Sequence, residues 1–148
     1  MGLLKAGSIA PDFICKNQDG VDVKLKDFSD KPLVMFFFPS NIGMICTREN
    51  IEFKENYQKF IDANCHVVGI SGDKIKKQKK FHCKNDLPFP LLIDRKRKIE
   101  KAFGAHFSRA TFVIHNGEIV LSHLTHWFTS KSHIEESLKV VEFLNGNK

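Results

Sequence analysis

Residues 32–50 lead from a strand into a helix, and they read PLVMFFFPSNIGMICTREN. Residues 32–38 form a continuous apolar run, which is typical of a central strand covered on both faces. Pro39 ends the strand, because its ring fixes φ and it has no backbone N–H to donate. The chain then crosses a short loop and reaches a cysteine, Cys46, where a helix begins.

The helix after the loop is predicted from its apolar spacing. We expect one amphipathic helix from about Ile45 to Ala63, with Cys46 in its first turn and on its inward-facing stripe. The residues of that stripe follow at helical intervals: Phe53, Tyr57, Phe60 and Ile61.

The rest of the chain alternates strands and helices around this unit. Before it, residues 13–25 flank an Asp19-Gly20 turn and predict a hairpin. After it we predict a strand at Cys65–Ser71, a basic helix from Asp73 to about Asn85, a strand at Pro90–Asp94, a helix at Arg97–Phe103, a strand at Ala110–Ile114, a turn at Asn116-Gly117 into another strand, and a helix at Ser132–Leu144. This order predicts the α/β class, with a thioredoxin-like central mixed sheet, helices on both faces and an N-terminal β-hairpin extension.

Size and composition fit one compact domain over residues 1–148, of which 42% are apolar. No apolar run approaches the roughly 18 residues of a membrane helix, and the opening residues lack the hydrophobic stretch of a secretory signal. We therefore predict a cytoplasmic protein without a membrane partner.

The chain carries a net charge of +6, and residues 73–80, DKIKKQKK, hold much of it. A basic helix can serve an acidic partner, but a solvated lysine face is the simpler interpretation. Because no nucleic-acid motif accompanies the run, we do not expect a nucleic-acid partner.

The four cysteines are too sparse for a disulfide-stapled secreted fold, and no pair has the close spacing of a structural zinc site. We therefore expect no bound metal. These cysteines are Cys15, Cys46, Cys65 and Cys83.

Cys46 is the candidate nucleophile. Unpaired N–H groups and the positive end of the helix dipole favour the thiolate in the first turn of a helix. Pro39 can shape one wall of the site, and Glu49 can hold an arginine in place. Arg109 precedes a later strand, where the sheet topology can return it to Cys46. The local sequence leaves open that Cys46 is a buried structural cysteine and that Arg109 is a surface arginine.

These motifs resemble those of the peroxiredoxins, and within them the bacterioferritin comigratory protein or Q-type branch. The resemblance rests on FFFPSNIGMICTRE, VVGISGD, LPFPLLIDRKRKIEKAFGA and RATFVIHNGEI, and it covers nearly the whole chain. It implies that Cys46 is the peroxidatic cysteine and that Arg109 is the arginine that stabilises it.

Two positions depart from the family pattern. Gly43 stands where the family has a threonine that orients the peroxide, so positioning should be weaker, unless Ser40 or backbone amides replace it. The usual resolving cysteine, five residues after the first, is replaced by Ile51. Cys83 is then either a resolving cysteine on the next helix or a thiol buried by that helix.

The resemblance also implies a mechanism. The thiolate of Cys46 attacks hydrogen peroxide or an organic hydroperoxide and becomes sulfenic acid. Thioredoxin, glutaredoxin or a small thiol then reduces it, through Cys83 or directly in one-cysteine fashion. The implied enzyme needs no metal or organic cofactor and works as a monomer.

Two alternatives remain open on the sequence. A thioredoxin-fold thiol oxidoreductase would have to act with one thiol, because GMIC keeps only the second cysteine of the usual pair. A non-enzymatic protein could keep the fold and use its basic helix to bind nucleic acid or an acidic partner.

Overall fold

A computed structural model describes residues 3–38, 44–105, 109–124 and 131–146, with the backbone alone at 44–47, 49, 131–133 and 145–146. The strands described are β1 (Ile14–Asn17), β2 (Asp22–Lys24), β3 (Leu33–Phe37), β4 (His66–Ser71), β5 (Leu91–Ile93), β6 (Ala110–His115) and β7 (Glu118–Leu124). The α-helices described are α1 (Met44–Glu55), α2 (Tyr57–Asp62), α3 (Ile75–Lys84), α4 (Lys98–Phe103) and α5 (Lys131–Gly146).

The described strands form a mixed sheet in the order β2-β1-β5-β4-β3-β6-β7. β3 pairs parallel with β4, and β4 pairs parallel with β5. The other neighbours are antiparallel, including the N-terminal hairpin of β1 and β2. The predicted α/β class, mixed sheet and N-terminal hairpin extension are therefore confirmed. One domain over residues 1–148 stays a prediction.

β3 lies inside the sheet, and all five of its residues are buried. Its side chains alternate between two apolar clusters, as the two-residue period of a strand requires. Val34 and Phe36, with Phe38 just beyond the strand, lie on the face packed by residues of α1, α2, α3 and α5, which we call the α1 face. The other face is packed by α4 and by N-terminal residues. The prediction that the continuous apolar run is a strand covered on both faces is therefore confirmed.

The single helix predicted from Ile45 to Ala63 is wrong, because the chain forms two helices that are separated at Asn56. There φ is −98° and ψ is 4°, outside the helical range. The Asn56 side chain and backbone N–H both donate to the Glu52 carbonyl, at 2.8 Å and 3.1 Å, so this carbonyl at the end of α1 accepts two hydrogen bonds. The prediction that Ile61 faces inward is also wrong, because this residue is 45% exposed.

The remaining predicted elements are present within a residue or two of their expected limits. Gly20, Asn116 and Gly117 have positive φ angles of 78°, 52° and 79°, as tight hairpin turns require. Within the described ranges, no helix is long and apolar enough to cross a membrane.

Candidate active site

Cys46 is the third residue of α1, so its backbone lies in the first turn of the helix. The first four N–H groups of a helix have no partner within it, and they form the positive end of the helix dipole. Glu49 follows on the next turn of α1. Pro39, Ser40 and Gly43 lie outside the described residues, as do the side chains of Cys46 and Glu49.

Arg109 comes immediately before β6, beside the end of β3. The antiparallel register ends with the pair Phe37 and Ala110, so Arg109 and Phe38 are the residues that flank this last pair. Phe38 is the last described residue before the segment that leads to α1. The backbone register thus brings the arginine to the sheet edge from which the chain continues to Cys46.

The strand period also indicates the face on which Arg109 lies. Alternate residues of a strand share a face, so continuation of this period by one residue before β6 predicts Arg109 on the side of Thr111. Thr111 pairs directly with Phe36, whose ring stacks on Phe53 of α1 at a centroid distance of 4.2 Å. We therefore predict that Arg109, which is half-buried, lies on the α1 face.

The stacked rings fix α1 against the sheet. Phe36 and Phe53 are both fully buried, and their planes differ by only 7°. Burial of one such side chain stabilises the fold by about 1.5–3 kcal/mol, and an aromatic pair adds about 0.5–1.5 kcal/mol. The helix that begins near Cys46 is thus held in place two turns further along.

Two buried polar side chains at the same sheet edge, Gln78 and Asp94, were not predicted from the sequence. The amide of Gln78, on α3, donates to the carbonyl oxygens of Ser71 at 3.2 Å and Leu92 at 3.3 Å. Asp94 accepts hydrogen bonds from the backbone N–H groups of Ile99 and Glu100, at the start of α4. These contacts tie α3 and α4 to the ends of β4 and β5. The aspartate before a helix was a readable capping signal, whereas a glutamine within a lysine run carried none.

Cys65 and Cys15 have surroundings that disfavour the thiolate. The Cys65 thiol is buried and lies 3.4 Å from the Phe60 carbonyl oxygen, to which it can donate. Burial raises the pKa of Cys65 to about 12. Burial, together with the nearby charge of Asp94, raises the pKa of Cys15 to about 11. Both thiols are therefore poor nucleophiles at neutral pH, in agreement with their predicted structural role.

Cys83 lies near the end of α3 and is exposed. The alternative in which the helix buries it is wrong, because the inward positions of α3 are taken by Gln78 and, in part, Phe81. The ammonium of Lys54, near the end of α1, donates to the Asn85 carbonyl at 2.6 Å. The ends of α1 and α3 are thus neighbours.

The chain matches the family model described as the AhpC/TSA family over residues 6–122. A Peroxiredoxin Q, chloroplastic, from Oryza sativa subsp. japonica is 35% identical over 150 residues, covering 97% of this chain and 69% of the relative. Another Peroxiredoxin Q, chloroplastic, from Suaeda salsa is 37% identical over 145 residues, covering 93% and 68%.

Solved structures show the same fold. Peroxidoxin BcpB from Mycobacterium tuberculosis has a TM-score of 0.88 and 26% identity, with 95% of this chain and 97% of that chain covered. Peroxiredoxin Q from Xanthomonas campestris has a TM-score of 0.85 and 22% identity, with 95% and 98% covered. The family match does not favour a monothiol oxidoreductase or a non-enzymatic binding protein. The chain belongs to the AhpC/TSA family and, within it, to the thiol peroxidases of the peroxiredoxin Q branch.

Proposed function

We propose that Cys46 is the peroxidatic cysteine and that Arg109 stabilises its thiolate and the reacting oxygen. One observation carries this proposal: α1 begins at Met44, so the Cys46 backbone is in a first helical turn, while the pairing of Phe37 with Ala110 brings Arg109 to the neighbouring strand end. A helix start and a guanidinium both favour an anion at this edge.

The proposed reaction takes place at the Cys46 sulfur. The thiolate attacks the terminal oxygen of hydrogen peroxide or an organic hydroperoxide, and the O–O bond breaks. The leaving oxygen takes a proton and departs as water or alcohol, and Cys46 becomes a sulfenic acid. Arg109 supplies positive charge where negative charge develops. Pro39 would shape a wall of the site, and Glu49 would orient the arginine.

Gly43 is expected to make this peroxidase slow. A glycine has no hydroxyl with which to orient the peroxide, and such a hydrogen bond is worth about 1–3 kcal/mol, or up to about a hundredfold in rate. Ser40 or backbone amides of the same segment are the candidates to replace it.

Cys83 is the candidate resolving cysteine. Its exposure supports this role, since its thiol is accessible on α3. Cys46 lies eight residues before Lys54, which is about 12 Å along the helix axis, whereas Lys54 contacts Asn85 just beyond Cys83. A disulfide requires Cα atoms about 4.4–6.8 Å apart. Formation of the Cys46–Cys83 bond would therefore require the start of α1 to unwind.

If Cys83 does not resolve, an external thiol reduces the sulfenic acid directly. Thioredoxin, glutaredoxin or a small thiol is the proposed reductant in either case. We further propose that the chain acts as a monomer in the cytoplasm. The plant relatives, by contrast, are named chloroplastic.

The test is hydrogen peroxide consumption with dithiothreitol, measured for the unaltered chain, Cys46→Ser and Cys83→Ser. Loss of activity in Cys46→Ser alone, with sulfenic acid on Cys46 in the unaltered chain, would support the one-cysteine route. A peroxide-induced loss of two hydrogens in mass that disappears in Cys83→Ser would make Cys83 the resolving residue. Peroxide consumption no faster than that of Cys46→Ser would contradict the proposed role of Cys46.

A further inference from the structure

The outer side of α3 is strongly basic. Residues 73–86 contain six lysines and two aspartates, a net charge of +4 in a chain whose total is +6. Five of those lysines are exposed, at positions 74, 76, 79, 80 and 84. These 14 of the 148 residues thus hold most of the chain's net positive charge.

Cys83 lies among these exposed lysines. Cys83 follows Lys80 by three residues and Lys79 by four, and Lys76 is one further turn back, so these residues share one side of the helix. Lys84 is the next residue along the chain. We call the exposed Lys76, Lys80, Cys83 and Lys84 the α3 patch.

Within the described parts of the chain, the acidic residues around α3 leave most of the charge of the α3 patch available. Lys79 lies 3.8 Å from Asp19, and Lys77 lies 3.5 Å from Asp73. Asp86 is exposed beyond the helix end. These carboxylates are engaged with lysines outside the patch or lie past its end, so a partner with an acidic surface would find complementary charge here.

We propose that the α3 patch is the docking surface for an acidic dithiol protein that regenerates the enzyme. This inference rests on the proposed function, and specifically on a Cys46–Cys83 disulfide. A lysine-rich surface around an exposed sulfur would steer an acidic reductant to the atom that it must attack and would raise the association rate. A neutral small dithiol would gain nothing from the same lysines.

The exchange is balanced in atoms and electrons. A thiolate of the partner attacks the Cys83 sulfur, the Cys46–Cys83 bond breaks, and Cys46 leaves as a thiolate. The partner's second thiol, as thiolate, then attacks the partner's own sulfur in the mixed disulfide and releases Cys83 as a thiolate. The partner dithiol is oxidised to a disulfide by two electrons, and the enzyme disulfide is reduced by the same two.

The test compares two double variants of the full chain. Lys76→Glu with Lys80→Glu reverses the α3 patch, whereas Lys26→Glu with Lys139→Glu reverses two exposed lysines elsewhere. Each double lowers the net charge from +6 to +2. Peroxide turnover is measured with an acidic thioredoxin, recycled by its reductase, and separately with dithiothreitol.

We expect kcat/KM for the acidic thioredoxin to fall about tenfold in the α3 double, and less than about twofold in the control double, because steering depends on local charge. Raising the salt concentration should narrow the difference. Turnover with dithiothreitol should be unchanged in both doubles.

Equal losses in the two doubles, or no loss in either, would overturn the inference while dithiothreitol turnover upheld the proposed function. Failure of the unaltered chain to turn over with dithiothreitol would overturn both. Binding of duplex DNA that is lost only in the α3 double, with unchanged thioredoxin kinetics, would reassign the patch to nucleic acid.

Discussion

The two edges of the sheet at which the parallel strands end and begin give a thiol opposite surroundings. Cys46 is placed at the edge where β3 ends and α1 begins, so its backbone is among N–H groups at a helix start. Cys65 is at the other edge, just before β4, where its thiol meets the Phe60 carbonyl near the end of α2. One edge presents donors and the other presents acceptors.

This difference follows from how strands and helices alternate. In a strand-helix-strand unit, helices begin at the carboxyl edge of the parallel strands and end at the amino edge. The helix dipole therefore favours an anion at the first edge and disfavours one at the second. The reactivity of a cysteine in such a unit therefore depends on whether it lies at a helix start or near a helix end.

The largest effect is expected when the thiol of Cys46 is replaced by a hydroxyl, with the same replacement at Cys65 as the comparison. We expect Cys46→Ser to lower the peroxide reaction rate on the order of a thousandfold or more, because the nucleophile is lost. Cys65→Ser should keep its rate and lose only about 1 kcal/mol of unfolding free energy, since a hydroxyl can still donate to Phe60. Stopped-flow peroxide consumption and urea unfolding measure the two effects. Equal peroxidase losses in the two variants would erase the contrast between the edges.

A second test measures accessibility and ionisation by alkylation. A thiol with a pKa of about 12 is ionised in about one molecule in ten thousand at pH 8, so native Cys65 should react with iodoacetamide extremely slowly. We expect exposed Cys83 to be labelled at least about a hundredfold faster. Peptide mass mapping over time measures both rates, and labelling in denaturant is the control. Native labelling of Cys65 as fast as Cys83 would contradict its described burial.

The third test concerns the charge at the carboxyl edge. We expect Arg109→Met to lower kcat/KM for hydrogen peroxide about a hundredfold to a thousandfold, the effect of removing one preorganised donor. Arg109→Lys should recover part of the loss, because it keeps the charge without the guanidinium fork. Arg48→Met is the matched control, at an exposed arginine on α1. A loss as large in the Arg48 variant would contradict a specific role for Arg109.

Much of the scaffold could be predicted from local chemistry. The turns at Asp19-Gly20 and Asn116-Gly117 were readable because tight hairpins need positive φ, and the run at 32–38 because it lacks alternation. The helix break at Asn56 could not be predicted, because the apolar spacing continues across it and the Asn56 side chain bonds to Glu52 only in the folded chain. Spacing alone could not show that Ile61 would be exposed beyond that break.

The site was predictable in its residue types and less so in its geometry. Cys46 stands after a strand and at a helix start, and both signals are local. The position of Arg109 at the end of β3 depends on the antiparallel pairing of Phe37 with Ala110, more than 70 residues apart, which no local pattern specifies. The exposure of Cys83 depends on which side of α3 meets the sheet, and a helix rich in lysine on most sides leaves that undecided.

The smallest effect is expected for the ion pair of His66 and Asp30, at the amino end of β4. His66 on β4 lies 2.8 Å from the Asp30 carboxylate, and this hydrogen bond holds the pKa of Asp30 below its usual value. A lowered carboxyl pKa stabilises the fold above the unfolded pKa of about 3.9, and the stabilisation is lost as the pH falls through the folded value. We expect Asp30→Asn to lower the melting temperature slightly at pH 6 and to match the unaltered chain near pH 2.

Thermal melts from pH 6 to pH 2 measure this effect, and Asp12→Asn controls for the loss of one exposed surface carboxylate. A melting difference that grows as the pH falls below 4 would have the wrong sign for this pair.

The most direct test of the account is to trap sulfenic acid in the unaltered chain. One equivalent of hydrogen peroxide is added with dimedone present, and digestion followed by mass spectrometry locates the adduct among the four cysteines. The account predicts the adduct on Cys46, with Cys15 and Cys65 unmodified. An adduct on Cys83 and none on Cys46 would contradict it.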